Sequence, residues 1–243
     1  MIIQPFSFAS LKQALAEGWR IANATRLVSI AYSLIFVLGG VLIIGGLLAQ
    51  GMTPFVIAAA GAFMLVGPVI LAGFFGIAQA FESGQPVTPG AILAGFRNAA
   101  GALWVLSLVC GLLFMIFVTD AAILYAYMIG RAPVWLTDLA PVAMNVVKFV
   151  EWAGVSGLVV AFLLFGVSAF SVPLLCERRA GLVAAVVTSV RVVFGNFPVA
   201  LFWAFFLSTA IIGSVLLLPL LPLTLPWLAY ASRALYRQVL PTA

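Results

Sequence analysis

The sequence predicts an all-α, polytopic helical membrane protein: about six transmembrane helices, in three repeats of an amphipathic helix plus two spans. Composition is the first observation behind this. The chain is 65% hydrophobic and 7% charged, with a mean hydropathy of +1.29, whereas soluble domains carry about 25% charged residues. The second is that the apolar runs are continuous and longer than the roughly 20 residues that cross about 30 Å of hydrocarbon. Continuous runs also exclude a β-barrel, whose strands alternate. The third is a recurring arginine segment, Gly18-Trp19-Arg20, Gly95-Phe96-Arg97 and Ser189-Val190-Arg191. Each is followed by an asparagine (Asn23, Asn98, Asn196) and then by a membrane-length apolar run. The units cover approximately 8–82, 87–178 and 181–238 of a single integral membrane domain, 1–243.

In the first amphipathic helix Phe8, Leu11, Leu15, Trp19 and Ala22 recur at helical spacing, with Lys12, Gln13, Glu17 and Arg20 opposite. Ser10 with Gln13 fits a capping box. The start, Met1 to Pro5, has none of the marks of a cleaved signal peptide, so the first span, Leu27–Ala49, is expected to be retained. A second span follows at Pro54–Ala78. Thr88 and Pro89 then read as N-cap and first position of the second amphipathic helix, ahead of a span at Ala102–Tyr127. In the loop from Gly130 to Glu151, Val146–Trp152 reads as an interfacial helix feeding span four, Gly154–Leu175. Trp135 and Trp152 serve as belt anchors, and Lys148 with Trp152 form a candidate contact patch for a neighbouring subunit. The third amphipathic helix, around Leu182–Phe194, carries Arg191 as its only charge. Span five is Pro198–Leu218. Pro219, Pro222 and Pro226 then favour a tight turn and a short sixth helix, Leu220–Arg233; a single long kinked span is the rival.

Charge sets the orientation. With six spans, nine of the eleven basic residues fall on one side, and only Arg131 and Lys148 on the other. The positive-inside rule then places both termini in the cytoplasm. The arginines of the amphipathic segments obey that rule. With Trp19 and Phe96 beside them, Arg20, Arg97 and Arg191 are also candidate contacts for lipid or a partner.

Chemistry-bearing residues are few. The chain has no histidine, which removes imidazole metal ligation and the commonest catalytic base. Cys110 and Cys176 read as small apolar core residues. Gly39-Gly40 and Gly45-Gly46 read as helix-packing positions. Asp120, close to the outer end of span three, is the candidate intramembrane polar site, with Arg131 as its nearest cation in sequence. Glu82 and Glu177 end spans two and four at matching positions, and Glu177 beside Arg178 and Arg179 reads as a surface ion pair.

Gly67-Pro68, Ala72-Gly73, Glu82-Ser83-Gly84 and Ser171-Val172-Pro173-Leu174-Leu175-Cys176-Glu177-Arg178, continued by Thr188 to Arg191, Asn196, Pro198 and Trp203-Ala204, resemble the DUF2189 family of proteobacterial integral membrane proteins. The resemblance implies a helical fold and a bacterial inner-membrane location. The family's C-terminal Gly-His-Ala-Thr-Trp-His-Ala-Tyr-Arg stretch is matched here only at Trp227, Ala229 and Tyr230. A metal or haem role for its histidines does not extend to this chain.

Two functions from different classes remain. One is a non-catalytic accessory or assembly subunit of a larger inner-membrane complex, respiratory or photosynthetic. The other is a small transporter or lipid-handling protein, with a central cavity lined by Ser33, Ser107 and Ser168. Both expect no catalytic residues, no cofactor and no metal. The expected partners are membrane lipids and other integral membrane subunits, with no nucleic acid.

Overall fold

The computed structural model describes residues 3–4, 7–56, 59, 67–130 and 144–241, and among these there is helix but no strand. In chain order the helices are α1 (Phe8–Ala24), α2 (Arg26–Ala49), α3 (Gly67–Glu82), α4 (Pro89–Asn98), α5 (Gly101–Met128), α6 (Met144–Ser168), α7 (Ser171–Cys176), α8 (Leu182–Gly195), α9 (Phe197–Leu216) and α10 (Leu221–Val239). Four stretches are long and apolar enough to span a membrane: α2, α5, α6 with α7 (Val146–Cys176), and α9. They coincide with the first, third, fourth and fifth expected spans. The second span is seen from Gly67 as α3, with residues 57–58 and 60–66 outside the described part.

α1 starts earlier than the sequence suggests. Ser7, in extended backbone, is its N-cap, and Ser7 and Ser10 exchange hydrogen bonds: each hydroxyl accepts from the other's backbone N–H, at 3.4 and 3.3 Å. The capping box is therefore Ser7 with Ser10, not Ser10 with Gln13. The buried stripe is also rotated, to Leu11, Ala14, Gly18 and Ile21, leaving Phe8 and Trp19 exposed. The cause is α10, whose backbone comes closest at Gly18. A Cβ there would stand 2.6 Å from the Ala231 nitrogen and 2.7 Å from the Trp227 carbonyl oxygen. With the contact running through a glycine, the bulky neighbours move to its edges, and Trp19 meets Trp227 edge-on at 5.9 Å.

The fourth span is broken at Ala169-Phe170, between α6 and α7. Pro173 has no N–H to give the Ala169 carbonyl, and its ring crowds that carbonyl. Val146–Trp152 is not a separate interfacial helix. Nothing in it interrupts the ladder, so it forms part of α6, with Val146 and Phe149 buried and Phe149 packed edge-on against Tyr125.

α9 and α10 are separate helices that pack on each other, joined by a 3₁₀ turn at Leu218–Leu220 that contains Pro219. Pro222 falls in the first turn of α10, where a missing donor costs nothing, and Pro226 lies inside the helix. α10 runs to Val239, past the expected end at Arg233. It is the central post of the fold, burying Leu221, Leu225, Leu228, Tyr230, Ala231, Leu235 and Tyr236 against α1, α2, α3 and α9.

Candidate functional site

The three arginine-bearing helices dock through one position, two residues before each arginine. Gly18 of α1 meets α10 as described. Gly95 of α4 meets Gly76 of α3. A Cβ on Gly76 would collide with the Ala91 carbonyl oxygen, and one on Gly95 with that of Ala72. Only glycine permits that approach. In α8 the position is Ser189, which faces the break between α6 and α7. Its hydroxyl donates to the Gly166 carbonyl at 2.7 Å and accepts from the Phe170 N–H at 3.1 Å. Those two backbone groups are four residues apart and would bond each other in an unbroken helix. The serine stands in the ladder and satisfies both, alongside the proline that prevents the next bond.

At the same end of the bundle lie the carboxylates of Glu82, closing α3, and Glu177, just beyond α7. Both are held by α10. Arg233 donates to Glu82 at 2.6 Å and approaches Glu177 at 3.6 Å; Arg237 reaches Glu82 at 2.8 Å and Glu177 at 3.2 Å. The Arg233 side chain is only 5% exposed, against 28% and 22% for the two carboxylates. Its Nε–H is buried with no acceptor among the described residues. The pairing expected between Glu177 and its neighbours Arg178 and Arg179 does not form, because those guanidiniums serve helix ends. Arg178, in the left-handed region at φ 53°, donates to the carbonyls of Asn98 and Arg97 at the end of α4. Arg179 donates to the Tyr236 hydroxyl and to the carbonyls of Leu240 and Pro241 beyond α10. Cations suit the negative ends of helices. Burial, with Glu177 adding to it, pushes the Tyr236 phenol above its usual range.

The sequence-predicted residues do not converge. Arg20 pairs with Glu17 at 2.6 Å and lies 5.5 Å above the Phe81 ring. Phe96 stacks on Trp104 at 6.2 Å. Arg97 and Arg191 are exposed on α4 and α8, while Lys148 and Trp152 are both exposed on α6, one turn apart. Asp120 is exposed on α5 and forms no ion pair among the described residues. Trp135 and Arg131 lie outside the described residues. No group of three or more His, Cys, Asp or Glu among the described residues could hold a metal.

None of the cavities formed by the described residues takes in more than one of Ser33, Ser107 and Ser168. Their hydroxyls bond to carbonyls one turn back in their own helices. Ser168 alone borders a partly open, mostly apolar cavity of about 160 Å³ between α3, α6, α9 and α10. Of the paired glycines in α2, a Cβ on Gly40 would stand 2.9 Å from the Leu218 side chain, while one on Gly39, Gly45 or Gly46 would meet no other described element within 4 Å.

The clamp went unread in the sequence although its signal was present. Two units end in an acid at one place, and the third ends in Arg237.

A family model described as "Predicted integral membrane protein (DUF2189)" matches residues 55–177. The chain belongs to the DUF2189 family. The DUF2189 match takes in α3 to α7, the Gly76–Gly95 crossing and both carboxylates of the clamp, and leaves Arg233 and Arg237 outside it. No curated protein and no solved structure matches the chain.

Proposed function

We propose that the protein is a non-catalytic accessory or assembly subunit of a larger complex in the bacterial inner membrane, respiratory or photosynthetic, with both termini cytoplasmic. The observation that carries this is the outer face of α2. Only 17% of its most apolar stretch is buried within the chain. Gly39 and Gly46, seven residues apart, fall on one face, with Leu42 and Ile43 exposed between them and open space around both glycines. Small residues seven apart let a second helix approach closely, and here no described helix of the chain does so.

The units 8–82, 87–178 and 181–238 are read as one building block closed head to tail. α1 packs on α10, α4 on α3, and α8 on α6 and α7. Each arginine helix therefore leans on the end of the preceding unit, and the first leans on the last. Such a ring would give a rigid scaffold with its long helices turned outward.

The test is a Gly39→Leu/Gly46→Leu variant purified gently from the native membrane. Partner subunits should be lost while the chain itself stays folded; partners retained at full stoichiometry would remove the proposal. The apolar cavity favours a second reading, a lipid-handling protein, over transport of a polar solute.

A further inference from the structure

Arg178, Arg233 and Arg237 line a partly open, mostly polar recess of about 370 Å³, together with Glu177, Gln79 and Asn98. Glu177 is the only carboxylate among the described residues of that wall. Even with Glu82 counted, three guanidiniums answer two carboxylates. Arg233, its side chain 5% exposed, adds charge from behind the surface, and its Nε–H is unmet among the described residues. Arg178 spends Nε and Nη2 on the carbonyls of Asn98 and Arg97, at 2.8 and 3.3 Å, which leaves its Nη1 without an acceptor among the described residues. Gln79 and Asn98 are exposed, and neither side-chain amide takes part in a hydrogen bond among the described residues. A cleft with surplus charge of one sign concentrates ions of the other, and guanidinium forks match oxyanions. The recess also lies where the membrane-length stretches stop. Asn98 comes three positions before α5 begins at Gly101, and the stretch Val146–Cys176 ends beside Glu177. In a bilayer that is the level of the headgroup phosphates. The volume exceeds the roughly 150 Å³ that accommodates benzene in an apolar cavity, so a phosphate group fits.

We infer that this recess binds a phosphate group. Arg178 and the half-exposed Arg237 are its direct contacts, Arg233 contributes field rather than contact, and the amides of Gln79 and Asn98 donate to the remaining oxygens. The bound anion offsets the surplus cation of the clamp and links α3, α4 and α10 through one group. The site is independent of whether the protein is an accessory subunit.

The phosphate can belong to a lipid headgroup or be free in solution, and two titrations separate the sources. The full chain, stripped of lipid in an uncharged detergent, is titrated in native mass spectrometry with phosphatidic acid and with the diacylglycerol of the same chains. Its thermal unfolding is then followed in inorganic phosphate and in chloride at matched ionic strength. Phosphatidic acid should bind about tenfold more tightly than diacylglycerol, the worth of a charge-assisted hydrogen bond. Arg178→Gln should remove most of that difference. Arg191→Gln, which takes an equal charge from α8 outside the recess, should leave it intact. Should Arg178→Gln not fold, Gln79→Glu decides: at an exposed position it adds a second carboxylate to the wall and should weaken binding likewise. Stabilisation by inorganic phosphate over chloride, lost in the same variant, would assign free phosphate as the source. Tight binding of phosphatidic acid without that stabilisation would assign the lipid headgroup. Equal binding of the two lipids with no effect of inorganic phosphate would overturn the site. So would a preference that survives both Arg178→Gln and Gln79→Glu, or one that Arg191→Gln reduces as much.

Discussion

Arg233 donates to Glu82 at 2.6 Å across 151 positions of sequence, from a side chain almost wholly withdrawn from solvent. The pair ties the last helix of the chain to α3, and Arg237 and Glu177 extend the tie to the end of α7. Removing one partner of a buried pair costs about 3–5 kcal/mol, because the remaining charge is left uncompensated. Arg233→Ala should lose a substantial part of that amount, leaving Glu82 and Glu177 to share Arg237 alone. Arg237→Ala, on a half-exposed side chain, should lose much less. Thermal unfolding in detergent measures both.

Glu17 and Arg20 form the contrasting pair, 2.6 Å apart but exposed on α1. The hydrogen bond from Arg20 holds the Glu17 carboxyl below its usual range. A lowered folded value means the contribution is complete above the unfolded pKa of about 4.3 and is lost as pH falls through the folded one. Exposed pairs are worth about 0–1 kcal/mol. Glu17→Gln should therefore change the unfolding temperature little at neutral pH, and not at all once both forms are protonated.

Ser189→Ala removes the hydroxyl bridging Phe170 and Gly166 and takes from the Gly166 carbonyl the donor that it has in the wild type. Leaving one such group unsatisfied costs about 1–3 kcal/mol. Thr188→Ala, one residue away on the partly exposed side and bonded only to its own helix, should cost almost nothing. Comparing the two variants separates loss of the bridge from loss of a hydroxyl.

The crossing of α3 and α4 should tolerate no side chain. Gly95→Val should abolish folding or strongly lower yield, because the intruding atoms would meet backbone that cannot swing aside. Gly111→Val on α5, with open space around it, should express normally.

The class of fold was legible because it rests on composition and run length, which a bilayer reads directly. Thr88 with Pro89 marked the start of α4 correctly, since both signals are local. What the sequence hid was long-range. Trp19 dominated the expected face of α1 by size, yet Gly18 sets that face because α10 is there to touch it. The pairing of Glu177 followed the nearest arginines in sequence, although Arg178 and Arg179 were needed at helix ends and α10 supplied the closer charge. The tie from Trp227 to the Leu15 carbonyl, 2.9 Å across 212 residues, carries no local signal at all.

Purification of the protein from its native membrane in a mild detergent, with mass spectrometry and a visible absorption spectrum of the product, tests the accessory-subunit proposal most directly. Stoichiometric membrane subunits carrying haem or pigment are the predicted result, with the bare face of α2 covered by one of them. A colourless chain that leaves the membrane alone would contradict it.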